Sequence, residues 1–327
     1  MPIYDGQGNV IEVGGGGGSV MPYAAPTETS KVTIAGYAYP TFINNTYEVL
    51  RAAHPDYISR EAIGTDASGQ YTLYLYTFEP DYPEQTIWLQ SGVHGREKDA
   101  YVALWLLLKH ITEDWQTHEG LAYLRWHCRI CVVPVMNPWG CTNYKDSNYN
   151  SKSLNGDNWT ELQPETVANH TALEAILESH GVNFAMDFHS TVNNSYGDYM
   201  ASYKPGAPNE ILVKNMAYSL ARINATKRTQ EYLTQYNLEP DEIRIVHVAD
   251  SQSQNTYCTW WYQAKGIPSA TIEHSDYVWA TSLSYSAAIT RAVEVQANHL
   301  IAHALAKFPA VYASEEEEAE EEAEVTS

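Results

Sequence analysis

The stretch TIWLQSGVHGREKDAYVALWLLLKHIT, residues 86–112, contains an apolar strand, a short turn and a long apolar helix in direct succession. Its β-branched and aromatic residues predict a strand over 86–93, and its long apolar run predicts a helix over 99–112. Between them, His94 and Glu97 stand three residues apart, a spacing that brings both side chains to one side of a helical turn. The pair either holds a metal ion or is ordinary polar decoration of a helix start, and the spacing alone leaves both open.

The rest of the chain continues this alternation of helical and extended segments. Helices are predicted at 47–55, 166–181, 209–225 and 284–308, and strands at 71–78, 129–138, 182–191 and 267–275. Nearly continuous apolar strands between helices favour an α/β fold with a mixed, mostly parallel central sheet and helices on both faces. Sites in such sheets form beyond the carboxyl ends of the strands. Four polar residues fall at or near predicted strand ends: His94, Asn137, His189 and Glu273.

Composition separates both ends of the chain from its body. The run GGGGGS at 14–19 is a flexible linker, so residues 1–26 are predicted to form an N-terminal arm, a candidate docking segment for an unidentified protein. Residues 27–311 are predicted to form one domain. Residues 312–327 contain eight glutamates and are predicted to form an acidic disordered tail.

The charge balance limits the classes of partner. The 327 residues contain 19 Lys and Arg against 40 Asp and Glu, a net charge of −21. Neither nucleic acid nor an anionic membrane is expected as a partner, because an acidic surface repels phosphates. The N-terminus lacks the basic and apolar regions of a signal peptide, and no run of about 18 apolar residues predicts a transmembrane helix. The expected location is the cytoplasm or a virus particle.

The four cysteines are too few for a disulfide scaffold in a chain of this length. Cys128 and Cys131 have CxxC spacing, but they lie within a predicted strand. Residues i and i+3 of a strand point to opposite faces, so one metal could not collect both thiolates. Buried, reduced thiols are therefore expected, with a zinc knuckle as the lesser alternative.

A third candidate ligand ends a separate predicted strand, AMDFHST at 185–191. There the imidazole of His189 could complete a site with His94 and Glu97. Two histidines and one carboxylate form a zinc site of the catalytic type, in which the fourth position is left for water. Taken alone, each of these residues is more typical of an ordinary polar side chain. The chain contains twelve histidines, so a single histidine at a strand end is weak evidence for a metal site. Only their joint placement favours a metal.

Seven stretches, taken in order, resemble the zinc carboxypeptidases of the carboxypeptidase A type. They are HPDYISREAIGTDASGQYTLYLY (54–76), TIWLQSGVHGREKDAYVALWLLL (86–108), VVPVMNPWG (132–140), SLNGDNW (153–159), PETVA (164–168), FAMDFHST (184–191) and GIPSATIEHS (266–275). Each motif alone is only weakly specific for the family. The resemblance is specific because all seven motifs occur in the family's order. The resemblance covers about residues 40–300 and implies a carboxypeptidase-like single domain.

The resemblance also implies the roles of four residues. His94, Glu97 and His189 would bind one zinc ion per chain, and Glu273 would be the catalytic general base acting on a zinc-activated water. Glu273 also fits this role unaided, because a partly buried carboxylate near a cation can act as an acid or a base. The alternative is a structural glutamate in an ion pair at a strand end.

Two further residues are implied as substrate-binding groups, Arg96 and Asn155. The alternative for Arg96 is a surface arginine paired with Asp99 or Glu97. The tyrosine that closes over the substrate in the family has no secure match here, and Tyr257 and Tyr262 are the two options.

The chain departs from the family at both arginines that handle substrate. Gly156 stands where the family's arginine holds the terminal carboxylate of the substrate, and Asp146 aligns near the arginine that polarises the scissile carbonyl. Lys145 and Lys152 are nearby cations, but lysine lacks the bidentate fork that suits a carboxylate.

The sequence therefore predicts a zinc-dependent hydrolase of peptide or amide bonds, a carboxypeptidase-like metallopeptidase whose substrate is not anchored through an arginine-bound carboxylate. Cell-wall peptides, side-chain amides and small acyl-amino acids fit this description. Two alternatives stay open. One is a non-catalytic or weakly active binding or structural module on the same fold. The other is a deacylase resembling aspartoacylase or succinylglutamate desuccinylase, which the missing arginine weakens equally.

Overall fold

A computed structural model gives the fold of the chain. It describes residues 3–4, 10–11, 23–27, 38–157, 162–191, 199–202, 258–275 and 285–313. The glycine linker, the helix predicted at 209–225 and the glutamate run of the tail lie outside the described residues.

Helices and strands alternate along most of the described chain. The α-helices are Tyr39–Asn45 (α1), Tyr47–Ala53 (α2), Lys98–Glu113 (α3), Glu119–His127 (α4), Pro138–Asn143 (α5), Leu154–Asp157 (α6), Pro164–His180 (α7), Cys258–Ala264 (α8) and Tyr285–Ala306 (α9). The strands are Ile3–Tyr4 (β1), Val10–Ile11 (β2), Ile58–Thr65 (β3), Thr72–Phe78 (β4), Gln85–Ser91 (β5), Cys128–Val133 (β6), Phe184–Thr191 (β7), Tyr199–Ser202 (β8) and Ser269–Ser275 (β9). A 3₁₀ turn at Trp115–Thr117 precedes α4.

Seven strands form one mixed sheet in the order β3-β4-β6-β5-β7-β9-β8, while β1 and β2 pair separately. The four central strands, β6, β5, β7 and β9, are mutually parallel. The outer strands β3, β4 and β8 run antiparallel to their neighbours. This arrangement confirms the predicted mixed, mostly parallel sheet, and it places the carboxyl ends of β5, β7 and β9 side by side.

Helices cover both faces of the sheet, as predicted. Residues of α1–α4 and α9 share one hydrophobic core with the sheet, and residues of α7 and α8 share a second core on the opposite face. All seven residues of β5 are buried, including the polar Gln85, Gln90 and Ser91, as expected for a strand that is covered on both faces. Helix α3 is also buried around most of its circumference, as expected for a helix with few polar positions.

Nine of the described helices and strands were not predicted from the sequence: α1, α4, α5, α6, α8, β1, β2, β3 and β8. Five of the eight residues of β3 are exposed, so this edge strand lacks the apolar run that marked the central strands. Helix α4 has only nine residues, of which three are buried, which leaves a weak periodic signal.

The two cysteines of the CxxC spacing face opposite sides of β6. Cys128 lies in the core shared with α3 and α9, and Cys131 lies in the core shared with α7 and α8. Both thiols are free, as is that of Cys141. Burial raises the pKa of Cys131 to about 12 and that of Cys141 to about 11, so these thiols are held in the protonated form. The expectation of buried, reduced cysteines is confirmed for these three.

Residues near both ends of the main domain are anchored to it by hydrogen bonds. Tyr23 exchanges hydrogen bonds with the Asn298 side chain on α9, and its hydroxyl lies 2.9 Å from His110 Nδ1 on α3. At the other end, Val311 pairs with Val182 just before β7. Among the described residues, no helix combines the length and the apolar character needed to span a membrane.

Candidate metal centre

Three of the predicted site residues meet at the carboxyl edge of the central sheet. His94 follows β5 by three residues, Glu97 immediately precedes α3, and His189 lies near the end of β7. Each offers a ligand atom, and these atoms all lie within 4.8 Å of one another. Strands β5 and β7 are parallel neighbours, so their carboxyl ends bring together groups that are 92 residues apart in the chain.

Glu97 is held by the end of β7. Its Oε2 atom lies 3.0 Å from His189 Nδ1 and accepts a hydrogen bond of 3.1 Å from the backbone N–H of Ser190. The carboxylate is buried, and burial alone would oppose its charge. The positive charge and hydrogen bond of His189, with smaller contributions from His94 and Ser190, outweigh burial and lower the pKa of Glu97 below its ordinary value.

His189 lies between two carboxylates. Its Nε2 atom lies 2.8 Å from Oδ2 of Asp187, which is fully buried and on the same face of β7 two residues earlier. Burial opposes a charged imidazole, but the carboxylates of Asp187 and Glu97 overcome this and raise the pKa of His189 well above its ordinary value. The ring orientation is therefore fixed from both sides.

His94 faces the same centre. Its ring centroid lies 5.3 Å from that of His189, with the two planes inclined by 67°. Its Nε2 atom lies 3.0 Å from Nδ2 of Asn155 on α6. Its Nδ1 atom is buried and has no hydrogen-bond partner among the described residues. A buried ring nitrogen without a partner is costly unless another group binds it.

Glu273 lies on β9, the strand next to that of His189. In the parallel pairing of β7 with β9, Glu273 is the register partner of His189, so both side chains leave the sheet on the same face. Glu273 is half-buried. The next residue, His274, is buried on the opposite face, 3.5 Å from Gln296 of α9.

The turn that carries His94 and Glu97 is packed directly against α5. A Cβ atom on Gly95 would lie 2.2 Å from backbone atoms of Gly140 and Cys141, so a larger residue does not fit there without backbone movement. The buried side chain of Asn137 caps α5 by accepting a hydrogen bond from Gly140 N, and it also donates to the carbonyl of Asp146. Asn137, which ends the predicted strand, therefore supports the turn.

Arg96 is paired with Asp146, the residue that stands near the expected position of the missing carbonyl-polarising arginine. Arg96 Nε donates to Asp146 Oδ1, and the backbone N–H of Arg96 donates to the carbonyl of Lys145. The side chain of Arg96 is 26% exposed. Lys145 and Lys152 are exposed.

Tyr262 does not serve as a group that closes over substrate. It is fully buried on α8, its hydroxyl donates to Gln90, and Asn169 donates to that hydroxyl. It is therefore a core residue. The other option, Tyr257, lies outside the described residues.

Two features of the centre were missed by sequence reasoning. Asp187 was not singled out, although its spacing of two from His189 in a strand places both side chains on one face. The contact of Asn155 with His94 had no local signal, because it joins residues 61 positions apart.

The donor set fits a zinc ion. Tetrahedral zinc with bonds of about 2.0–2.1 Å separates its ligand atoms by roughly 3.3 Å, close to the 3.0 Å between Glu97 Oε2 and His189 Nδ1. The Nε2 contact of His189 with Asp187 is the carboxylate–histidine arrangement that commonly orients metal ligands. His94 supplies the third donor of the cluster, and its Nδ1 atom has no hydrogen-bond partner among the described residues.

The fold and the candidate centre together define a metallocarboxypeptidase-like protein. The zinc carboxypeptidase family model matches residues 43–150, about a third of the chain, which includes His94 and Glu97. The resemblance to zinc carboxypeptidases is thus confirmed. No curated protein matches the chain significantly in sequence.

Solved structures of carboxypeptidases share the fold at low sequence identity. Thrombin activatable fibrinolysis inhibitor is 16% identical with a TM-score of 0.65, covering 88% of this chain and 78% of its own. A metallo-carboxypeptidase from Burkholderia cenocepacia is 17% identical with a TM-score of 0.60, covering 82% and 68%. Carboxypeptidase A from Helicoverpa armigera is 17% identical with a TM-score of 0.59, covering 85% and 77%. At such identities the likeness establishes the fold alone.

Proposed function

We propose that the protein is a zinc-dependent hydrolase of peptide or amide bonds that acts on substrates not anchored through an arginine-bound terminal carboxylate. The observation that carries the proposal is the convergence of His94, Glu97 and His189 at one sheet edge, with Glu273 in register beside His189. The match to the zinc carboxypeptidase family model supports peptides as the substrate class.

In this proposal His94, Glu97 and His189 hold one zinc ion per chain. When bound, zinc acts as a Lewis acid that lowers the pKa of water and polarises a carbonyl. Asp187 fixes the orientation of His189 through its contact with Nε2. The Ser190 N–H holds one oxygen of Glu97, which keeps that carboxylate turned toward the centre.

Glu273 is the proposed general base and later the general acid. A carboxylate in register with His189 is suitably placed to take a proton from the attacking water and to return it to the leaving amine.

Arg96 is proposed to contact the substrate through a guanidinium whose positive charge is partly offset. It is adjacent to Glu97 and partly exposed, but Asp146 offsets its positive charge. A guanidinium already paired with a carboxylate suits a neutral carbonyl better than a second carboxylate. Gly156 offers no charged group at the other family position. Both features support amide substrates without a free carboxylate at the recognised end.

Metal analysis combined with Glu273→Gln tests the proposal. The wild-type protein should contain about one zinc per chain and should hydrolyse members of a panel of cell-wall peptides and of peptides with free and amidated C-termini. Glu273→Gln should keep its zinc and lose ~10²–10⁴-fold in rate, the usual contribution of a general base. The matched control is Glu178→Gln on the exposed side of α7, which should leave the rate unchanged.

Two results would contradict the proposal. Zinc content that survives His94→Ala would show that the metal binds elsewhere. Bound zinc without hydrolysis of any panel member would instead favour the binding or structural module on the same fold.

A further inference from the structure

The two histidines of the candidate centre are supported by different kinds of group. His189 meets the buried carboxylate of Asp187, at 2.8 Å from Nε2. His94 meets the neutral amide of Asn155, at 3.0 Å from Nε2. Asn155 is 9% exposed, and it stands at a position where the family resemblance implied a contact with substrate.

The hydrogen-bond partners around His94 decide which of its two ring nitrogens carries the proton. A neutral imidazole carries one proton, on Nδ1 or on Nε2. A proton on Nδ1 would be a buried donor without a partner among the described residues, which is unfavourable. A proton on Nε2 avoids the unpaired donor if Asn155 accepts it, and it leaves Nδ1 as an acceptor that a metal ion can fill.

The amide of Asn155 can provide that acceptor. A half-turn about its terminal bond exchanges Oδ1 and Nδ2 without moving the contact, so Oδ1 can face Nε2 at the same 3.0 Å separation. Nε2–H then donates to Oδ1, and Nδ1 keeps a bare lone pair. This is the protonation state that a metal ligand requires.

We infer that Asn155 is a positioning residue of the metal centre, whose side-chain carbonyl holds Nε2–H of His94 and thereby leaves Nδ1 to the metal. Because this amide is neutral, it makes His94 a weaker ligand than a carboxylate in the same place would. The inference rests on the proposed zinc site, but it concerns metal binding and not hydrolysis. It assigns Asn155 to the metal and not to the substrate.

Zinc affinity, measured by competition with a chelator, tests this role without reference to activity. Asn155→Leu removes the acceptor and should weaken zinc binding 10–100-fold, the usual effect of losing such a support. Asn155→Asp keeps the shape of the side chain, supplies a charged acceptor and should strengthen binding about tenfold. The matched control is Asn143→Asp on α5, where the side chain bonds only the Trp139 carbonyl among the contacts described, and zinc affinity should change less than threefold.

A spectroscopic measurement separates positioning from general stability. Nitrogen NMR of histidine-labelled protein should show His94 protonated at Nε2 in the wild type, with and without zinc. In metal-free Asn155→Leu the proton should distribute between both nitrogens, because its acceptor is gone. Asn155→Asp should retain the Nε2 proton.

The outcomes distinguish this inference from the proposed function. Zinc binding with unchanged affinity in Asn155→Leu, or a His94 proton on Nδ1, would overturn the inference and leave the zinc site intact. A wild-type protein that binds no zinc would overturn both. Affinities that change as expected in a protein that hydrolyses nothing would uphold the inference and overturn the hydrolase.

Discussion

Replacement of His303 should reduce the acid sensitivity of the fold. His303 is fully buried on α9, with its ring 5.4 Å from that of Phe184 and 6.1 Å from that of Phe308. Its Nδ1 lies 2.9 Å from the carbonyl of His299, one helical turn earlier. Burial lowers the pKa of His303 to about 4, despite the opposing hydrogen bond to that carbonyl.

The sign and size of the effect follow from this pKa. In the unfolded chain His303 gains its proton near its ordinary value of 6.5, whereas in the folded chain it does so only near 4. The unfolded state therefore binds more protons between these values, so the stability is full above pH 6.5 and falls as the pH drops toward 4. At about 1.36 kcal/mol per pH unit, the loss from His303 is about 3 kcal/mol. Below pH 4 both states are protonated and the loss stops growing.

The assay is urea unfolding followed by tryptophan fluorescence between pH 7.5 and 4, comparing wild type with His303→Leu. Leucine fits the apolar site but does not titrate, so the variant should lose about 3 kcal/mol less of its free energy of unfolding over this range. The partly exposed His127→Leu serves as the control and should follow the wild-type curve more closely. Parallel curves for wild type and His303→Leu would refute the reasoning.

Two other perturbations test the packing around the site and the state of the thiols. Gly95→Ala should cost at least about 1–3 kcal/mol of stability and weaken zinc binding, because its methyl group would overlap the backbone of α5 at 2.2 Å. Calorimetry and chelator competition measure this, with Gly69→Asn at an open turn as the control, and unchanged values would contradict the packing. Cys128, Cys131 and Cys141 should resist thiol reagents at pH 8 until the protein unfolds, since all three are buried. Mass-spectrometric mapping of labelled peptides measures this, and rapid labelling of the native protein would disprove it.

Local patterns in the sequence were sufficient for the architecture. The largely apolar stretches around β5, β6 and β7, which lack a regular apolar–polar alternation, predicted a parallel sheet covered on both faces. The period of two along β6 predicted that Cys128 and Cys131 lie in different cores. Exposed or short elements such as β3 and α4 carried no comparable signal.

The sequence by itself determined which groups could bind a metal, and only the tertiary structure decided which of them meet. His94 and Glu97 share a turn, so their proximity follows from local geometry. The approach of His189 depends on β5 and β7 being adjacent and parallel, a matter of strand order that no local pattern encodes. The contacts of Asn155 with His94 and of Arg96 with Asp146 likewise join segments about 50–60 residues apart. The burial and orientation of these side chains depend on the packed chain, because the contacts that stabilise them come from residues distant in sequence.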